Sequence, residues 1–248
     1  MSPSSKRGGR RERPAAPPPV HDDETLAGEE PEVDEDGPYV PAPARFERLG
    51  AGAGVAYALV GYIGSSLLPI GKVRPEDPAA AIAKQLVADR GRISVGILLT
   101  LLSLFFFIVF LSCLHRWLRE AEGERGWLAT LALVGGMLMV AMLSVVVVLA
   151  IAGTVLGGYG PDPVIARTIL VLQWQAIAVA FIPGAAFVGG TALVGYTTAI
   201  LPRWLSISGM VIALGLLVPP LAFLPFLLST LWTGMLAVFL LQRTRLGF

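Results

Sequence analysis

From Phe46 onward the sequence is a succession of apolar stretches, each about as long as the roughly 20 residues an α-helix needs to cross the ~30 Å hydrocarbon core of a bilayer. In lipid every backbone N–H and C=O must find its partner within the protein, so such stretches fold as helices. They fall at about 49–70, 93–114, 127–156 and 169–200, and a last block at 204–241 is too long for one straight span. Pro219 and Pro220 remove two backbone donors in the middle of that block, which predicts two short spans joined by a tight turn there. The expected fold is all-α: a polytopic transmembrane helix bundle of six spans, with five as the alternative, behind a disordered N-terminal tail. A composition of 54% hydrophobic and 15% charged residues agrees with the membrane class.

The tail, residues 1–45, reads differently from the helical domain at 46–248. It holds 10 of the 18 acidic residues and the run Pro17-Pro18-Pro19, with almost no large apolar side chain to offset the entropy of ordering. Its basic cluster, Lys6, Arg7, Arg10, Arg11 and Arg13, suits a solvated arm or anionic headgroups. Arg10-Arg11 resembles a twin-arginine signal, but the first apolar stretch starts too late, near Leu49, and the tail is expected to be retained. A charged tail of this kind suits docking to a protein partner. Formal net charge is +1, which does not point to nucleic acid. Cys113, the single cysteine, excludes an intrachain disulfide and a cysteine metal cage.

Orientation follows from the basic residues flanking the spans. With six spans and the N-terminus inside, the inner side carries Arg45, Arg48, Arg116, Arg119, Arg125, Arg203, Arg243 and Arg245, against Lys72, Arg74, Lys84, Arg90, Arg92 and Arg167 outside. Eight against six favours a cytoplasmic N-terminus in a multi-pass plasma-membrane protein. Trp117, Trp127 and Trp204 then share the inner interface, where amphipathic rings prefer to sit. Between the first two spans, Asp77 is expected to cap a short helix with Pro78 at its first position. Ala79, Ile82, Ala83 and Leu86 form its apolar stripe, and Gly91 is expected to stop or bend it.

An ionisable side chain deep in a span would be the strongest functional signal, because burying one in lipid is costly and rarely tolerated without use. Every Asp, Glu, Lys, Arg and His falls in the tail, a loop or a span end, which argues against proton-coupled transport and intramembrane hydrolysis. What remains is polar or conformational. Gln173 and Gln175, flanking Trp174, are expected either to hydrogen-bond a ligand or a neighbouring helix, or to form an interfacial girdle. Pro183-Gly184, in mid-span, either lines a site with a bent helix or simply packs. Gly50, Gly52, Gly54, Gly61 and Gly64, with Gly135-Gly136, predict close helix approach, within the chain or in a homo-oligomer. Cys113 and His115 lack further ligands, so neither metal nor cofactor is expected. Trp232 is expected to point inward and donate its indole hydrogen to Ser229, Thr230 or Thr233.

The order of these pieces resembles a group of uncharacterised actinobacterial integral membrane proteins. The resemblance rests on Asp77-Pro78-Ala79 through Asp89-Arg90-Gly91, on Leu114-His115-Arg116-Trp117-Leu118-Arg119, and above all on Leu201-Pro202-Arg203-Trp204-Leu205. It covers about residues 46–245 and implies a bacterial plasma membrane and a six-span bundle, but no established activity and no functional residue. The expected function is therefore a non-enzymatic accessory or interaction component of the membrane. The alternative is a small permease for a neutral or lipophilic solute, using Gln173, Gln175, Pro183 and Gly184.

Overall fold

The computed structural model describes residues 42–68, 76–124, 126–157, 162–218 and 222–246, with side chains omitted at 42–45, 156–157 and 244–246. The expected disorder of residues 1–41 and the expected turn at Pro219-Pro220 lie outside the described residues, whereas 42–45, also expected to be disordered, form the first turn of a helix. Seven helices account for the rest: α1 (Ala42–Leu67), α2 (Ala79–Ala88), α3 (Arg90–Glu122), α4 (Trp127–Gly157), α5 (Pro163–Thr197), α6 (Arg203–Leu216) and α7 (Phe223–Leu246). Among the described residues there is no strand.

Four of these helices, α3, α4, α5 and α7, are long and apolar enough to cross a membrane. α1 has the length, at 26 residues, but Gly, Ser and Tyr dilute its apolar content. α6 has the composition but only 14 residues, about 21 Å of helix. Both match places where spans were expected. α3 and α5 extend past the expected limits, to Glu122 at one end and back to Pro163 at the other, because charged and polar residues continue the hydrogen-bond ladder beyond the apolar core.

Six of the helices close into a ring. α1 packs on α3, α3 on α4, α4 on α5, α5 on α6, α6 on α7, and α7 returns to α1. Neighbours run antiparallel: Gly50 meets Cys113 and Gly64 meets Thr100, while Gly54 meets Ala237 and Ala58 meets Gly234. The centre is filled by Tyr57, Phe107, Phe110, Phe187, Val188, Trp232 and Leu236. Phe107 lies edge-on to Phe187 with centroids 5.2 Å apart and tilts against Tyr57 at 4.7 Å, geometries that bring the positive edge of one ring to the negative face of the next.

α2 sits outside the ring against α5 and α4, burying Ile82 and Ala83 of its expected stripe. Two details differ from expectation. Pro78 occupies the cap position, so Asp77 precedes the cap; proline fits this place because it has no N–H to satisfy. The break before α3 falls at Asp89 (φ −95°, ψ 10°), and Gly91 lies inside α3. Local sequence marks glycine as the breaker, but burying Ile82 and Ile93 in adjoining clusters requires the chain to turn two residues earlier.

Candidate functional site

The polar and kinked stretch of α5 was the leading candidate, and the structure separates its members. Gln173 points inward, 4% exposed, and donates a long hydrogen bond (3.4 Å) to the Val146 carbonyl of α4. Gln175 is exposed. Two residues along a helix turn through about 200°, so the pair does not converge on one ligand. Trp174 packs partly buried, its ring centroid 5.8 Å from that of Phe223, and its buried indole nitrogen has no hydrogen-bond partner among the described residues. Between Gln173 and α2 lies a cavity of about 10 Å³ bounded by Leu86, Ile93, Ala150, Ile169 and Leu170, space for one water at most.

Pro183 and Gly184 are buried about one turn past the middle of the same helix, which runs unbroken through them. Their surroundings explain the neighbouring glycine of α4. A Cβ placed on Gly135 would lie 2.7 Å from the Pro183 carbonyl oxygen and 2.6 Å from the Phe187 nitrogen, so the two backbones touch there. Gly190 repeats the contact from the other side, 3.1 Å from the Ala132 nitrogen. Gly184 itself is not tight, since a Cβ there meets Met139 Sδ at 3.4 Å and Leu216 Cδ1 at 3.8 Å, ordinary side-chain contacts. Around Pro183-Gly184, α4 and α5 thus approach at small residues.

The first-span glycines have the same use. Gly50, Gly54, Gly61 and Gly64 face α3 and α7 of their own chain, whereas Gly52 faces open space. Trp232 is buried as expected, but its indole nitrogen donates across to the Leu205 carbonyl on α6 at 2.9 Å. Ser229 and Thr233 turn their hydroxyls back to Phe226 and Ser229 carbonyls of α7, the usual arrangement for hydroxyls in apolar surroundings, and that leaves the indole to reach its neighbour. Gly209 makes room for it, since a Cβ there would lie 2.7 Å from the indole ring.

At the end of the ring where α3 and α7 finish, several polar and charged side chains reach neighbouring segments. Arg243 stacks over Trp117 (5.7 Å) and reaches the Ile200 carbonyl (3.5 Å), tying the ends of α3 and α7 to the connection between α5 and α6. Trp127 and Trp204, both mostly exposed, stand at the same end, at the starts of α4 and α6. Sequence reasoning missed Glu122 here. Its carboxylate accepts from the Leu128 and Ala129 amides (3.2 and 2.9 Å), holding the N-terminus of α4 across a turn in which Gly123 (φ +70°) and Gly126 (φ +52°) take left-handed conformations. His115 Nδ1 lies 3.1 Å from the Ala129 carbonyl in the same corner. A Glu in the last turn of a helix is no standard cap signal, so only the fold brings it to the next helix. Among the described residues no three His, Cys, Asp or Glu side chains come together.

An all-helical bundle with four apolar helices of membrane-crossing length and its charges at the ends belongs to the class of polytopic membrane proteins. Within that class, the chain belongs to the family of a domain of unknown function (DUF4386), which it matches over residues 51–244. This bears out the expected membership of an uncharacterised family over nearly the expected range. No curated protein and no solved structure matches the chain.

Proposed function

We propose that this chain is a non-enzymatic accessory or interaction component of the plasma membrane, a rigid six-span anchor whose cytoplasmic N-terminal tail docks a protein partner. The single observation that carries this reading is the closed α4–α5 seam: Gly135 and Gly190 bring the backbones together where a permease would need a polar passage. Gln173 spends its amide on Val146 rather than on an open site.

In this reading α1 and α6 cross the membrane with the four longer helices. The up-and-down ring supports it, as does the exposure of Leu59, Tyr62 and Ile63 on α1 and of Trp204, Ile207, Val211 and Leu214 on α6. The shortness of α6 is absorbed by local thinning of the bilayer. The basic, tryptophan-rich end faces the cytoplasm, in keeping with the excess of Lys and Arg expected there.

The test compares two assays of the full chain. Cross-linking in intact cells should capture a partner that is lost when residues 1–45 are removed, while proteoliposomes should pass small neutral solutes no faster than protein-free vesicles. A solute flux above that background, lowered by Gln173→Ala, would replace this reading with the permease.

A further inference from the structure

On the outer face of the ring a trough of about 520 Å³ runs between α1 and α7. Its floor is the close approach of Gly234 to Ala58, where a Cβ on the glycine would lie 2.9 Å from that of the alanine. Leu59 and Tyr62 form one wall, Met235 and Val238 the other, and the Trp204 ring stands beside its end. Along α7 the trough extends from Leu231 to Gln242, about 16 Å of helix. That is close to one leaflet of hydrocarbon, about 15 Å.

The trough is apolar along its length, and its extent of one leaflet is that of an acyl chain lying parallel to the helices. The charge at one end of the trough supplies the rest. The register that sets Gly54 against Ala237 and Ala58 against Gly234 puts Arg48 level with Arg243, and exposed Arg203 adjoins Trp204. Of the acids near this end, Glu120 pairs with Arg116 and Glu122 holds α4. We propose that this trough is a binding site for an anionic glycerophospholipid, with one acyl chain between α1 and α7 and the phosphate beside Arg203, in the field of Arg48 and Arg243. The site goes beyond the partner role above and does not depend on it.

The full-length protein in nanodiscs, exposed to phosphatidylglycerol or phosphatidylcholine carrying an acyl-chain diazirine, tests this by mapping the photolabelled peptides. Phosphatidylglycerol should label α1 and α7 around Leu59, Met235 and Val238 in preference to exposed Val148 of α4, and more strongly than phosphatidylcholine does. Arg203→Gln should cut that preference about fivefold. Met235→Trp, at an exposed position, should block labelling of the trough by either lipid while leaving the unfolding temperature in detergent unchanged. Labelling spread evenly over α4 and α7, or indifferent to headgroup, overturns the proposal. So does a disulfide-linked dimer formed by Met235→Cys on a Cys113→Ala background, which would give the trough to a second copy of the chain.

Discussion

Single side chains here are decided by what stands opposite them, and two glycines of similar sequence context show it. Gly135→Ala would push a methyl against the Pro183 carbonyl and the Phe187 nitrogen, atoms of a backbone that cannot yield without separating α4 from α5. We expect it to cost about 1–3 kcal/mol, seen as a lower unfolding temperature by circular dichroism in detergent. Gly184→Ala meets the side chains of Met139 and Leu216 at ordinary contact distance and should be neutral or slightly stabilising. Had the Pro183-Gly184 step been a working hinge, the second substitution would be the damaging one. Trp232→Phe keeps most of the ring but removes the donor to Leu205. A loss of about 1 kcal/mol is expected, within the range measured for interhelical hydrogen bonds in lipid.

Helices in this bundle are joined by devices at their ends. Glu122→Ala should cost about 1 kcal/mol in the same unfolding measurement, because two amides at the start of α4 lose a charged acceptor. Glu122→Gln, with one acceptor oxygen, should lie between the two. At the opposite end of α3, the Arg92 guanidinium donates to the Ser66 carbonyl (3.3 Å) in the last turn of α1, where a cation complements the helix dipole. α2 depends on fewer contacts than any span, chiefly Ile82 and Ala83 against Ala166 and Leu170. Ile82→Ala should therefore release α2 locally. Hydrogen exchange would show faster exchange at 79–88 and unchanged protection in 97–114; loss of protection across both would make α2 part of the ring's cooperative unit.

For the molecule as a whole, the outward face is the telling surface. Leu59, Phe105, Val148, Ile182, Val211 and Leu231 are exposed on six different helices, far more apolar surface than water tolerates and appropriate to a face solvated by acyl chains. Extraction without detergent should yield no monodisperse monomer. Cysteines introduced at Val148 and Val211 in intact cells should resist a membrane-impermeant maleimide, and rapid labelling at both would place these helices in water. Most of this frame was legible from residue order. Apolar stretches of span length separated by Arg, Trp and Pro determine where helices run, because lipid leaves the backbone no other way to satisfy its hydrogen bonds. The stripe on α2, the inward Trp232 and the close-packing glycines were legible for the same local reason. The tertiary structure alone decided which helices adjoin, and so everything that depends on a partner distant in sequence: Trp232 choosing Leu205, Gln173 parting from Gln175, Glu122 serving α4, and the trough opening between α1 and α7. Periodicity tells a residue which face it occupies, but the atom it meets there belongs to another helix, and only the packed ring brings the two together.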